Sequence, residues 1–204
     1  MNKINTNYIK VILITLVVCG ILLLCKILNV HILNPAMDIR SDNFDYQSFA
    51  TNLSDQAPAL VPHDVSESCA NYVVSNVKEY SLNIGEQLAK DSRYSNDDKY
   101  YIVQVIAEWI FHKSVDLCHS DIPEKYWNDG LQEVSTEIFS TLEETKSKHT
   151  EGAEELNKVE ETVNKTFNNY IDNLAKQGRI SKESAQHTKT LSNIDDYSGL
   201  QNEQ

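Results

Sequence analysis

Four side chains near the middle of the sequence have the types that hold a metal ion: Glu108, His112, Asp116 and His119. On a helix, Glu108, His112 and Asp116 stack at i, i+4 and i+8, and His119 follows His112 two turns later. Imidazole and carboxylate together suit zinc, iron or nickel. In helical bundles such ligands gather between facing helices, where they would serve a hydrolytic or redox enzyme. Against this, bundle sites draw ligands from several helices, and these four share the polar side of one. Neither HExxH nor an EF-hand loop is present. The expectation is therefore a solvated stripe, with Glu108, His112 and Asp116 as weak metal candidates and no cofactor assigned.

Other chemistry has less foothold. There is no GxSxG, no Gly-rich phosphate loop and no CxxC. His63, His149 and His187 fall at helix ends or in polar segments, where solvated histidine is ordinary. Tyr72, Tyr80, Tyr100, Tyr101, Trp109, Tyr126 and Trp127 follow helical spacing and read as core rather than as a binding platform. The triplets Asn52-Leu53-Ser54 and Asn164-Lys165-Thr166 match the glycosylation pattern, which matters only in a eukaryotic host. The residues point away from an enzyme.

The elements that must position these side chains are helical. Residues 97–119 contain no Gly or Pro, and Ser95 with Asp98 three positions on marks an N-cap. Tyr100, Ile102, Val103, Ile106, Ala107, Trp109, Ile110, Phe111, Leu117 and Cys118 cover an arc of roughly 200°, with the polar residues in a stripe of roughly 120°. Such a helix is packed on most sides. Before it, Val65, Cys69, Tyr72, Val73, Val77, Tyr80, Ile84 and Leu88 line one face of a predicted helix over 64–90, with Asp64 as N-cap. The short polar connection from Asp91 to Ser95 favours an αα-hairpin.

That hairpin gives the cysteines a meaning. Cys69 lies 21 residues before Lys90 and Cys118 lies 21 residues after Asp97. Each is about 32 Å along its helix from the same turn. Both fall on apolar arcs, so a Cys69–Cys118 disulfide is predicted at the open end of the hairpin in an oxidising compartment.

Downstream, Pro123 opens a third helix in which Trp127, Leu131, Val134, Ile138 and Leu142 form a core-facing stripe, with Gly130 as a mild defect. The stripe lapses from Glu143 to Glu155 and resumes with Leu156, Val159, Val163, Phe167, Tyr170 and Leu174. Gly178 is expected as a left-handed cap, and Ser181 as the cap of a last short helix. The lapse admits two readings. A turn near 147–152 gives two antiparallel helices and a four-helix bundle. Alternatively Glu144/Lys148, Glu154/Lys158 and Glu161/Lys165 support one long solvated helix, a coiled-coil arm that could pair in a homo-oligomer. Gly152 and the missing stripe coincide, so the turn is favoured. The remainder of 179–204 after the short helix reads as disordered tail.

The N-terminal part differs in kind. Residues 11–25 are uninterrupted by charge, and the apolar character continues to Leu33 past Lys26. This is enough for a transmembrane segment over 11–33 if Lys26 snorkels. Lys3 and Lys10 place residues 1–10 in the cytoplasm. No small-residue cleavage site or lipoprotein motif fits well, so a retained signal-anchor is expected, with Cys19 and Cys25 as small hydrophobes inside it. Residues 34–62 contain Pro35, Pro58 and Pro62 and read as a flexible stalk, with a short helix over 41–53 presenting Tyr46, Phe49 and Leu53. Residues 63–178 form the bundle.

Three of the 18 Lys and Arg precede residue 34, leaving 15 against 30 Asp and Glu in the rest. So acidic a part is unsuited to nucleic-acid phosphates or an anionic lipid surface. Basic proteins are better neighbours. The expectation is an all-α, single-pass protein with its bundle outside a bacterial inner membrane, facing the periplasm and acting by protein–protein interaction. One version is an acidic immunity-type protein that neutralises a basic partner. A ligand sensor with an apolar pocket between helices is a third class.

Overall fold

A computed structural model describes residues 43–148 and 152–192. The predicted cytoplasmic segment 1–10, the transmembrane segment 11–33 and the tail beyond residue 192 lie outside the described residues. Among the described residues no helix is long and apolar enough to cross a membrane. They are all-α, with no strand: α1 (Tyr46–Leu60), α2 (Glu67–Ala89), α3 (Asn96–His119), a 3-10 turn (Glu124–Tyr126), α4 (Trp127–Ser147), α5 (Ala153–Lys176) and α6 (Lys182–Ser192).

The first correction concerns the stalk. Residues Tyr46–Leu60 are a 15-residue helix whose Phe49, Ala50, Leu53 and Ala57 are buried against α2 and α3. Phe44 and Phe49 each bring a ring to 4.8 Å from that of Tyr100. The Tyr100 hydroxyl accepts from the Asp45 N–H at 2.8 Å. Pro58 has no N–H to donate to Ser54 O, and α1 ends two residues beyond it at Leu60. The segment looked like stalk because two of its four core positions are alanines among Ser, Asn and Asp. Its packing surface is a narrow stripe that only a neighbouring helix makes worthwhile.

α2 begins at Ser66, whose hydroxyl accepts from the Cys69 N–H at 3.1 Å, and not at Asp64. α3 begins as the sequence indicates. Ser95 Oγ accepts from the Asp98 N–H and the Asp98 carboxylate accepts from the Ser95 N–H, both at 3.2 Å. The two helices run antiparallel, and Cys69 and Cys118 form the disulfide at their open end with Cα atoms 5.4 Å apart. Thirteen residues of α3 are buried, including Lys99, Lys113, Ser114 and Asp116. α3 is the centre of the molecule.

α4 ends at Ser147 and α5 begins at Ala153, so two helices form and not one long arm. They are antiparallel: Thr141 meets Thr162 at 3.3 Å, and Tyr170 meets Gly130. The buried residues Leu131, Val134, Ile138 and Leu142 of α4 face Leu156, Val159, Val163, Phe167, Ile171 and Leu174 of α5. Gly130 is no defect. A Cβ there would stand 2.7 Å from Cε1 of Tyr170, so glycine lets the two helices close. Gly178 has φ +67°, and the Gly178 and Arg179 N–H groups donate to Ala175 O and Leu174 O at 3.0 and 2.9 Å. That pair of bonds is a Schellman termination.

Tyr72 packs its ring 5.2 Å from Trp127, and Tyr80 lies beside Ser135, so α2 and α4 run parallel. Tyr94 meets Glu155 and Lys113 lies over Phe167, so α3 and α5 run parallel. α2 to α5 are thus an up-down-up-down bundle. α1 covers one side. α6, capped by Ser181, covers another with Ala185 and Thr188.

Candidate functional site

The polar stripe of α3 is placed on one helix as predicted, but it is not solvated throughout. Asp116 is only 1% exposed, and its carboxylate lies 3.7 Å from the ammonium of Lys113, itself buried. Lys113 also donates to Ser192 of α6 and stands 5.0 Å from the Phe167 ring centroid. His112 is largely enclosed. Burial, and secondarily the Lys113 charge, lowers its pKa from 6.5 to about 4. Glu108 is partly buried. His119 sits exposed at the helix end, with Nε2 3.3 Å from Asp64 of the α1–α2 connection. Among the described residues no group of three or more His, Cys, Asp or Glu is close enough to share a metal. The neighbour brought to Asp116 is a cation, the Lys113 ammonium, at ion-pair distance.

Periodicity predicted the aromatic core in part. Tyr100 and Trp127 are buried, and the indole N–H of Trp127 donates to Ile122 O at 2.8 Å. Tyr101 is instead 39% exposed, the one exposed large hydrophobic side chain among the described residues.

A second charged constellation carries none of the spacing that announces a motif. Glu155, in the first turn of α5, is 0% exposed. Its carboxylate accepts from the Tyr94 hydroxyl and from Thr145 Oγ1, and lies 3.7 Å from Arg93 Nη2. The Arg93 side chain in turn donates three hydrogen bonds to the Asp91 carboxylate, the shortest at 2.9 Å. Burial pushes the Asp91 pKa up, but the Arg93 hydrogen bonds and the charges of Arg93 and Lys146 outweigh it and hold the group below its usual value. Burial, then the bond to Glu155, pushes the Tyr94 phenol up. The cluster lies where the α2–α3 and α4–α5 turns meet. Glu155 falls inside the stretch where the apolar stripe lapses, so only the other helices reveal it as core.

An open groove of about 600 Å³ lies between α4 and α5. Asp129, Glu133 and Glu137 line it at i, i+4 and i+8 of α4, opposite Tyr170 and Asn173 of α5, with Arg179 at one end. Burial and the neighbouring Asp129 raise the Glu133 pKa, and burial followed by Asp129 and Glu133 pushes the Tyr170 phenol up. The groove is a place of negative potential. A smaller one, about 240 Å³, has both signs of charge, from Glu144, Lys148, Lys158, Glu161 and Lys165. Lys148 pairs with Glu144, and Lys158 with Glu154 at 2.9 Å. Neither groove is the apolar pocket a small-molecule sensor would need. No family model, curated protein or solved structure matches this chain.

Proposed function

We propose that this chain is a membrane-tethered, extracytoplasmic helical module that works by binding another protein through the carboxylate-lined groove of α4 and α5. The observation that carries the reading is Asp129, Glu133 and Glu137 in one row along an open groove, with Glu133 made costlier to ionise by its surroundings. A lysine or arginine laid along that row would relieve the repulsion, which favours a basic partner of the kind an immunity or inhibitor protein neutralises. Among the described residues Tyr101 alone of the large hydrophobics is exposed, so recognition by charge is better supported than recognition by an apolar patch. The coiled-coil scaffold version has less support, because the apolar stripe of α5 is spent on α4 and the core. The metal-dependent enzyme has less as well, since Lys113 stands beside Asp116.

The test is crosslinking pull-down of the full chain from native membranes, at low and high salt. It is repeated with Asp129→Asn, Glu133→Gln and Glu137→Gln combined. The expected result is a basic partner lost at high salt and lost with the triple variant. Recovery indifferent to both would overturn the groove as the binding site. Alkaline extraction of the same membranes tests the tether, and release of the chain into the supernatant would refute it.

A further inference from the structure

We propose that the helical domain is a jaw, in which the α4–α5 hairpin opens as a unit from the α1–α3 unit when the buried Glu155 latch is released. This is independent of the proposed binding groove. Three observations carry it.

First, the helices pair unequally. Backbones run closely side by side within α1–α2–α3 and within α4–α5, and approach one another far less between these two sets. The first set is also stapled by Cys69–Cys118, whereas no covalent link crosses to the second except the chain itself through residues 120–126. Second, that connection lies at the end of the bundle opposite the latch, because α3 and α4 each run its full length between the two. Ser120 Oγ donates to Leu117 O, and the Tyr170 hydroxyl donates to Tyr126 O, so the hinge ends are each held to their own helices. Third, at the end away from the hinge the sets are joined by charge and hydroxyl, whereas Tyr72 against Trp127 packs them at the hinge end. Tyr94 and Arg93 come from the α1–α3 unit, and Glu155 and Thr145 come from the hairpin. Lys146 reaches Asp91 across the same seam at 4.0 Å. Arg93 Nη1 is buried without a partner, so the latch is incompletely satisfied. Buried ion clusters of this kind give register more reliably than stability, which suits a contact that closes and opens. Opening uncovers the inner faces of α4 and α5, including Leu131, Val134 and Val163.

Native-state hydrogen exchange on the oxidised full chain tests this, since sub-global openings give groups of amides with a shared protection below the global value. In the unaltered protein, α4 and α5 amides are expected to share one protection factor at least tenfold below that of the slowest α2 and α3 amides. Tyr94→Phe removes only the hydroxyl that spans the seam, and Glu155→Gln removes the charge. Each is expected to speed α4 and α5 exchange at least fivefold and to leave α2 and α3 within twofold. Equal protection of all four helices in the unaltered protein would overturn the jaw. So would acceleration of α2 and α3 by the same factor as α4 and α5, or no acceleration in either variant. Should Glu155→Gln fail to fold, Tyr94→Phe and the unaltered protein decide the matter.

Discussion

Reduction of the Cys69–Cys118 bond is the perturbation whose size follows most directly from the fold. The bond joins positions separated by 49 in sequence. In the chain-entropy model a loop of this length removes about 14 cal/mol/K from the unfolded ensemble, or about 4 kcal/mol at 25 °C. Domains of ordinary stability have about 5–15 kcal/mol in total, so the loss is a large share. For a chain of this size it corresponds to a fall of about 8–16 °C in Tm. Urea unfolding of the protein with and without reductant measures it. Both sulfurs remain in place on reduction, so no cavity adds to the effect as it would in a Cys→Ala variant at the fully buried Cys69. The m-value should rise on reduction, because the unlinked chain exposes more surface when it unfolds. Cys69→Ala with Cys118→Ala should be indifferent to reductant. A loss on reduction under about 1 kcal/mol would refute the reasoning, as would alkylation of Cys69 and Cys118 in the native, unreduced protein.

Two further outcomes follow from particular side chains. Gly130→Ala gains about 1 kcal/mol of helix propensity, yet its methyl would meet the Tyr170 ring at 2.7 Å. The expected net result is a destabilisation of about 1–2 kcal/mol in urea unfolding, and a stabilised variant would show that the α4–α5 approach is looser than described. His112 has a depressed pKa, so between pH 6.5 and about 4 the unfolded chain holds a proton that the folded chain does not. Its contribution is therefore intact above pH 6.5 and lost as pH falls toward 4, by up to about 3 kcal/mol at 1.36 kcal/mol per unit. Comparing urea midpoints at pH 7.5 and 4.5, His112→Gln should lose less stability on acidification than the unaltered protein. An equal loss in both would place the pH dependence elsewhere.

The residues by themselves determined whatever depends on neighbours three or four positions away along one helix. The Ser95–Asp98 capping box, the Gly178 stop, the core stripe of α4 and the end of α4 near Gly152 are all of this kind. The Cys69–Cys118 pair was legible too, because equal distances from one turn place two positions level in an antiparallel hairpin. Tertiary structure decided what depends on atoms supplied by other helices. It converted Tyr46–Leu60 from stalk to packed helix, since four small or apolar side chains acquire value only against α2 and α3. It enclosed Asp116, which periodicity assigned to solvent and which lies beside Lys113, itself held by Ser192 of α6. It also buried Glu155, whose donors lie 61 and 10 positions away at Tyr94 and Thr145. A carboxylate's local sequence reports its intrinsic preference for water. Whether that preference is overridden depends on donors that only the assembled bundle brings within reach.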